Sequence, residues 1–415
     1  MRRLLLLTCA AFSLLACGEA TSSGPVVEVI EVNGLIDNRM IAYMHHSIEA
    51  AAEAGRELAI IQINSPGVVG SFAGLSDLGG LLADPALPVV TWLGPAPAAI
   101  GGGAAQLFSQ APFRTAASGT RIEHWSPAVT TGEGELAPPP TGWPGFLEVV
   151  EPSPPIDLVV PSLRQLVQEL NGTEMTVRGE THRLRLLASI EDEGGDVTTI
   201  PVVFTQPGLW DRFLHLAVRP EAAFFFLVAG LTIAIFEMHA IGPGVAAAVA
   251  ALSLFLAGHG LAVLPVRGWA IVAAVTAIGV LAAGAQKGGV LALTILGTGL
   301  LLWSGFALNA GAPQVETSPI GVLLGVAAVL FFFLLAIPTV ARARLSTRTI
   351  GRERLIGRAG RALSDFLPDG LVEIDGARWP ATAHREAAIS EGAEVVVVAV
   401  YGARVEVDPV PLREN

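Results

Sequence analysis

Between residues 221 and 340 the chain is apolar at almost every position, and the breaks are short. Uncharged apolar runs of about 18 residues or more read as membrane-spanning helices. Five runs fit: 222–236, stopped by Glu237 and His239; 241–264, stopped by Pro265 and Arg267; 269–285, ended by Lys287; 288–308; and 320–341, ended by Arg342. The first and third are short, which leaves a tilted or re-entrant hairpin, and so four spans, as an alternative to five. Glycine and alanine recur throughout, and small residues let helices approach closely in lipid.

Before this block the pattern is different. Residues 26–32 form an apolar strand pattern ending at Asn33-Gly34. Residues 37–53 have helical periodicity, with Met40, Ile41, Met44 and Ile48 on one face. A second strand pattern, 58–63, runs into Asn64-Ser65-Pro66-Gly67; a helix pattern follows at 71–82 and a third strand pattern at 88–93. Such alternation implies a largely parallel sheet. Residues 127–161 are dense in proline, including Pro138-Pro139-Pro140, Pro152, Pro154 and Pro155, which excludes regular helix and favours extended loops. After the apolar block, five short strand patterns (355–363, 370–374, 377–383, 394–400 and 404–407) are separated by turns such as Asp375-Gly376 and Tyr401-Gly402. That density of strands suits a small all-β barrel of the OB type.

Composition agrees with an integral membrane protein: 52% of residues are hydrophobic and 15% charged. The net charge of −12 falls mostly on the N-terminal domain, while a basic cluster (Arg342, Arg344, Arg348, Arg352, Arg354, Arg358, Arg361) follows the last span. Basic residues mark the cytosolic side, so the C-terminus is expected in the cytosol and, with five spans, the N-terminal domain outside. Lys287 and Glu316 fit that arrangement and Arg267 does not. The basic cluster is juxtamembrane, where lipid headgroups explain it, and no nucleic-acid partner is implied. Residues 1–17 read as a lipoprotein-type signal: Arg2-Arg3, an apolar core, then Leu14-Leu15-Ala16-Cys17, with Cys17 as the lipidation site. Cys9 would leave with the signal, so no disulfide framework is expected in the mature chain.

The order of these pieces resembles the long-form NfeD family. The resemblance rests on Ile30-Glu31-Val32-Asn33-Gly34-Leu35-Ile36-Asp37, on Ile61-Gln62-Ile63-Asn64-Ser65-Pro66-Gly67, on Pro88-Val89-Val90, on Ser118-Gly119-Thr120-Arg121-Ile122 and on residues 157–163. In the C-terminal part it rests on Ile356-Gly357-Arg358-Ala359-Gly360 and on residues 372–379. It implies a ClpP/crotonase-like α/β domain at 22–200 with a Pro-rich insert at 127–161, a transmembrane region at 220–341, and an OB-fold domain at 350–411. It also implies a serine–lysine peptidase site. The Gly67 and Val68 backbone N–H groups would form an oxyanion hole, and a serine would stand in the turn after the third strand.

That turn here reads Ala98-Ala99-Ile100-Gly101-Gly102-Gly103-Ala104, which places Gly101 or Gly102 at the nucleophile position. Glycine has no side chain to attack a carbonyl. No lysine precedes Lys287, and the segment expected to carry the base is the Pro-rich insert. His124 and Ser126 are the fallback pair, since alternate residues of a strand share a face; Ser109 and Ser118 lie nearby in sequence. His45-His46 lacks a third metal ligand, the glycine run lacks the lysine of a phosphate loop, and no cofactor is implied. Glu237, His239 and His259 are the ionisable residues of the apolar block. Glu237 and His239 belong to a Glu-x-x-x-x-Gly-Pro-Gly pattern at a helix end, which gives them an interfacial structural role.

Two functions follow as expectations. The first is a non-catalytic scaffold in a bacterial inner membrane, homo-oligomeric, in contact with membrane lipid. Its barrel would engage a stomatin/prohibitin-like (SPFH) partner, and its outer domain could bind peptide segments. The alternative is a membrane-bound serine endopeptidase that cleaves hydrophobic segments with a displaced nucleophile.

Overall fold

The computed structural model describes residues 26–410 apart from 133, 193–194, 200, 240–243, 312–313, 338, 340–352 and 385–387. The signal segment with Cys17, residues 241–243 of the Gly-Pro-Gly turn, and Arg342, Arg344, Arg348 and Arg352 lie outside the described residues. The chain divides into two compact units, 1–334 and 335–415.

The first unit begins with the alternation read from sequence: β1 (Val27–Asn33), α1 (Asn38–Glu53), β2 (Leu58–Asn64), α2 (Phe72–Ala83) and β3 (Val89–Leu93). Asp37 and Ser71 cap the two helices, accepting from Met40 N at 2.8 Å and Gly74 N at 3.2 Å. Each such cap contributes about 1 kcal/mol. Next come β4 (Ala99–Ile100), α3 (Gly103–Gln110), β5 (Phe113–Ala116), β6 (Arg121–Ile122), β7 (Leu147–Glu148), β8 (Leu158–Val159) and α4 (Leu163–Leu170). Two hairpins follow, β9 (Glu174–Val177) with β10 (Glu180–Arg183) and β11 (Ala188–Asp192) with β12 (Gly195–Thr199). The domain closes with β13 (Val202–Thr205).

The main sheet has six parallel strands in the order β13-β1-β2-β3-β5-β8, with a small layer β4-β6-β7 beside it. Helix α1, α2 and α3 side chains (Met44, Ile48, Leu75, Leu78, Phe108) bury one face of the sheet, and α4 with Leu184 and Leu186 buries the other. Strand β13 lies past the domain end expected at residue 200. It pairs with β1, and Thr205 Oγ1 donates to the buried Glu28 carboxylate at 2.7 Å. A four-residue strand with polar neighbours carries little periodic signal, which is why the sequence pattern stops short of it.

From β13 the chain passes through α5 (Leu209–His215) into the membrane block. Trp210 stacks on Phe213 at 5.6 Å and tilts against Phe255 at 6.2 Å. The block contains α6 (Pro220–His239), α7 (Val245–Val263), α8 (Gly268–Gln286), α9 (Leu291–Ala307) and α10 (Pro319–Phe331), the last continued by a π-helical turn Phe332–Ala336. Four of these are long and apolar enough to cross a membrane; α9, at 17 residues, is the short one. This corrects the expectation that the first and third spans are short. Pro220 and Glu221 start α6 before its apolar run, and Glu237 to His239 extend it past that run. Helical bounds here follow capping and turns rather than the limits of apolarity. Glycines set the close approaches: a Cβ at Gly230 would meet Leu254, one at Gly297 would meet Leu281, and one at Gly305 would meet Val322 and Phe224. Leu35 of the α/β domain packs with Val218, Ala223, Leu264 and Val315, so the membrane block and the α/β domain share a small apolar junction.

The second unit is a closed barrel of β14 (Ala359–Ala362), β15 (Asp369–Ile374), β16 (Ala377–Ala383), β17 (Glu394–Tyr401) and β18 (Arg404–Pro409), in the order β14-β15-β16-β18-β17. The topology matches the OB-fold. The strand pattern at 355–363 resolves into a 3-10 turn, Glu353–Leu355, and the shorter β14, because Gly357 takes φ +80° between them. Val372, Ile374, Val395, Val397, Val405 and Val407 fill the interior.

Candidate functional site

Two turns meet at the ends of β2 and β4. Ser65 N donates to Ala99 O at 2.9 Å, Gly101 N donates to Ser65 O at 3.1 Å, and the Asn64 side chain accepts from Ala99 N at 3.1 Å. These bonds hold Pro66-Gly67-Val68 beside Gly101-Gly102-Gly103. The first turn is pinned by Ile36, whose N–H donates to Gly67 O at 3.0 Å and whose carbonyl accepts from Val69 N at 2.9 Å. The second is pinned by Gly102 N donating to His124 O at 2.8 Å.

The donors at this site are already occupied. Gly67 N points to its own turn, at 3.3 Å from Ser65 Oγ. Val68 N donates to the side-chain oxygen of Gln314 at 2.6 Å. Gln314 belongs to the loop joining α9 to α10; it is 1% exposed, and its amide nitrogen donates to Pro127 O. The glycines make room for it. A Cβ on Gly102 would lie 2.5 Å from Gln314 Cδ and 2.7 Å from Pro127 O, and Gly102 takes a left-handed φ of +51°. A Cβ on Gly67 would also strike Gln314, and one on Gly101 would lie 2.8 Å from both His124 Nδ1 and Pro66 O. A side chain at any of the three meets occupied space.

The described residues of the Pro-rich insert form a strap over this region, with turns and the short β7 and β8 instead of helix. Thr130 N donates to Val68 O at 3.1 Å. Gln106, fully buried on α3, donates to Trp125 O at 2.8 Å and accepts from Leu136 N at 2.7 Å and Ala137 N at 3.3 Å. Trp125 Nε1 donates to Ala137 O at 2.7 Å, and its ring tilts against Trp143 at 5.5 Å. Gln106 and Gln314 supply most of the side-chain hydrogen bonds that join these segments, yet nothing in sequence marks them. A lone glutamine in an apolar run signals only that its amide must find partners.

The fallback pair is placed apart in role. Strand β6 ends at Ile122, so His124 and Ser126 lie beyond it, where strand alternation no longer applies. His124 packs its ring against Gly101, with Nε2 buried and unpartnered, while Ser126 is exposed. Burial lowers the His124 pKa below its ordinary value, against the pull of Glu123 and Glu316, so the ring is neutral at pH 7. Ser109 Oγ is spent on Gln106 O at 2.6 Å, and Ser118 is exposed. His45 pairs with Glu49 at 3.2 Å on the surface of α1. Among the described residues no group of three or more His, Cys, Asp or Glu side chains could hold a metal ion. A cleft of about 640 Å³ opens beside Gln314, lined by residues that include Pro66, Glu123, His124, Arg219 and Glu221.

Comparison with known proteins places these pieces. Residues 221–338 match the NfeD integral membrane domain, and residues 352–409 match the NfeD-like C-terminal, partner-binding domain. The two matched NfeD domains stand in sequence, the membrane domain before the C-terminal one, behind the α/β domain. A membrane-bound protease of Pyrococcus horikoshii is 23% identical over 256 residues, 60% of this chain. The chain spans 56% of that relative's length. A solved domain of a P. horikoshii membrane protease specific for a stomatin homologue is 17% identical, with a TM-score of 0.35, covering 46% of this chain and 98% of that one. The C-terminal domain of a P. horikoshii stomatin operon partner protein is 30% identical, with a TM-score of 0.15, over 15% of this chain and 98% of that one. A soluble domain from Corynebacterium glutamicum, of a membrane protein implicated in regulation of membrane protease activity, is 27% identical, with a TM-score of 0.14, over 14% of this chain and 94% of that one. The α/β domain with its six-stranded parallel sheet precedes the residues matched to the NfeD integral membrane domain, and the residues matched to the NfeD-like C-terminal domain form the five-stranded barrel.

Proposed function

We infer that the chain is a non-catalytic membrane scaffold whose outer α/β domain hydrolyses no peptide and whose barrel engages a stomatin/SPFH-type partner. One observation carries the first half. Where a nucleophile would stand there is only glycine, the side chain of Gln314 packs against Gly67 and Gly102, and the nearby hydroxyls of Ser109, Ser118 and Ser126 are bonded elsewhere or exposed. A hydrolase needs a nucleophile, a base and free donors for the developing oxyanion. Here the turn offers no nucleophile, and the Val68 donor is committed to Gln314. The second half draws support from the NfeD-like partner-binding domain at 352–409 and from a P. horikoshii neighbour described as a stomatin operon partner.

In this reading the protein sits in the inner membrane with the α/β domain outside and the barrel in the cytosol, and a lipid on Cys17 adds a second attachment at the N-terminus. In the same reading it is a homo-oligomer, which would let several barrels engage the partner at once. An impermeant thiol reagent should fail to label a cysteine introduced at 375 in intact cells. The tagged chain, purified from its own membrane, should carry an SPFH protein that is lost when residues 350–411 are removed. Incubation with casein and with hydrophobic transmembrane-type peptides should give no products. Turnover of either substrate would favour the displaced-nucleophile peptidase instead.

A further inference from the structure

We propose that the Gln314 carboxamide is a built-in ligand of the glycine turn, a latch through which the α9–α10 loop closes the outer-domain cleft. The bracket that receives it is one donor, Val68 N–H, and one acceptor, Pro127 O. A primary carboxamide presents its C=O and an N–H on the same side, so it satisfies both at once. A trans peptide group points its C=O and N–H in opposite directions and can satisfy only one. A carboxylate accepts but cannot donate, so its second oxygen would face the Pro127 carbonyl. The bracket therefore selects a glutamine-type side chain over a substrate backbone.

Three independent features show that the fit is built. Gln314 is buried to 1% exposure although it lies in a loop between two apolar helices. Gly67 and Gly102 lack the Cβ atoms that would exclude it. The loop is also fixed from the membrane side: Ala310 N donates to Pro265 O at 3.0 Å, Arg267 Nη1 donates to Ala307 O at 3.1 Å, and Asn309 Nδ2 donates to Val315 O. Withdrawal of the loop would leave a backbone donor and a backbone acceptor facing the adjoining cleft of about 640 Å³. A single peptide group of an extended segment entering the cleft could then satisfy one of the two but not both. The latch thus couples the position of the last two helices to the state of the outer cleft. It goes beyond the scaffold reading and does not depend on whether any peptide is cut.

Amide hydrogen exchange on the full chain in lipid nanodiscs tests it. Gln314→Glu and Gln314→Ala should each speed exchange at Val68 at least tenfold, while residues 58–63 of β2 keep wild-type protection. Propionamide, the side chain of Gln314 cut at Cβ, should restore slow exchange at Val68 in Gln314→Ala; N-methylacetamide, which is a trans secondary amide, should not. Protection of β2 reports that the variants are folded, and the alanine variant adds no charge should the glutamate variant misfold. Wild-type exchange at Val68 in Gln314→Ala, or equal rescue by both amides, would overturn the proposal.

Discussion

The glycine turn of the α/β domain and the surface of the C-terminal barrel handle their side chains in opposite ways. At the turn, the Val68 N–H and the Pro127 carbonyl are consumed within the chain: Gln314 is 1% exposed and spans both. On the barrel, large apolar side chains face outward: Leu367 is 91% exposed and Tyr401 70%, with Leu371 and Ile356 also exposed. Buried polar groups that find partners inside the chain offer little to an outside molecule, whereas exposed apolar groups gain by being covered. The glycines follow the same contrast. Gly102 is surrounded by Gln314 and Pro127, while Gly376 of the β15–β16 turn has φ +76° and nothing within reach of a Cβ. The bracket at the turn is filled from within the chain, whereas the barrel carries exposed apolar side chains that a partner could cover.

Substitutions that break this contrast should differ in size. The largest effect is expected for Gly102→Ser, which supplies a hydroxyl at the nucleophile position but forces a Cβ into Gln314 and a left-handed backbone onto serine. Overpacking and the backbone cost together predict about 3 kcal/mol of destabilisation, read as loss of the Trp92 and Trp125 fluorescence transition, with no gain of turnover. Leu367→Asp should weaken co-purified SPFH partner binding about tenfold, roughly 1.4 kcal/mol, while shifting barrel stability by less than about 0.5 kcal/mol. Gly376→Ala should cost about 1 kcal/mol of barrel stability through backbone strain alone and leave the α/β domain untouched. The smallest and most graded effect is that of His124. Burial holds its folded pKa below the ordinary value, so the unfolded chain binds the proton first as pH falls. Stability should therefore be full above about pH 6.5 and decline below it, by no more than about 1.4 kcal/mol per pH unit for one proton. His124→Gln should flatten that slope.

Much of this was legible in the sequence, and for identifiable reasons. Periodicity located β1, α1, β2, α2 and β3 to within a residue or so, because Met40, Met44 and Ile48 bury at helical spacing and Asp37 and Ser71 are capping residues. The barrel strands follow from alternation between turn dipeptides. The missing side chain at Gly101 and Gly102 could also be read directly. What fills the space could not. Gln314 lies 246 positions from Val68, and a single amide in a loop has no local pattern that reveals a partner so distant. The strap was equally hidden, since proline density excludes helix but does not say that Gln106 and Trp125 will hold the segment in place. Strand β13 escaped because its order comes from pairing with β1 rather than from its own residues.

The most direct test of the central claim is fluorophosphonate labelling of the full chain in nanodiscs between about pH 5 and 9, followed by peptide mapping of residues 98–130. A serine acts as a nucleophile only when a nearby base activates it, and here Ser109 is held by Gln106 O while Ser118 and Ser126 are exposed. The account predicts no adduct on any of the three serines, in the wild type and in Gln314→Ala alike. An adduct at one of them that tracks peptide turnover and disappears with its alanine substitution would contradict it.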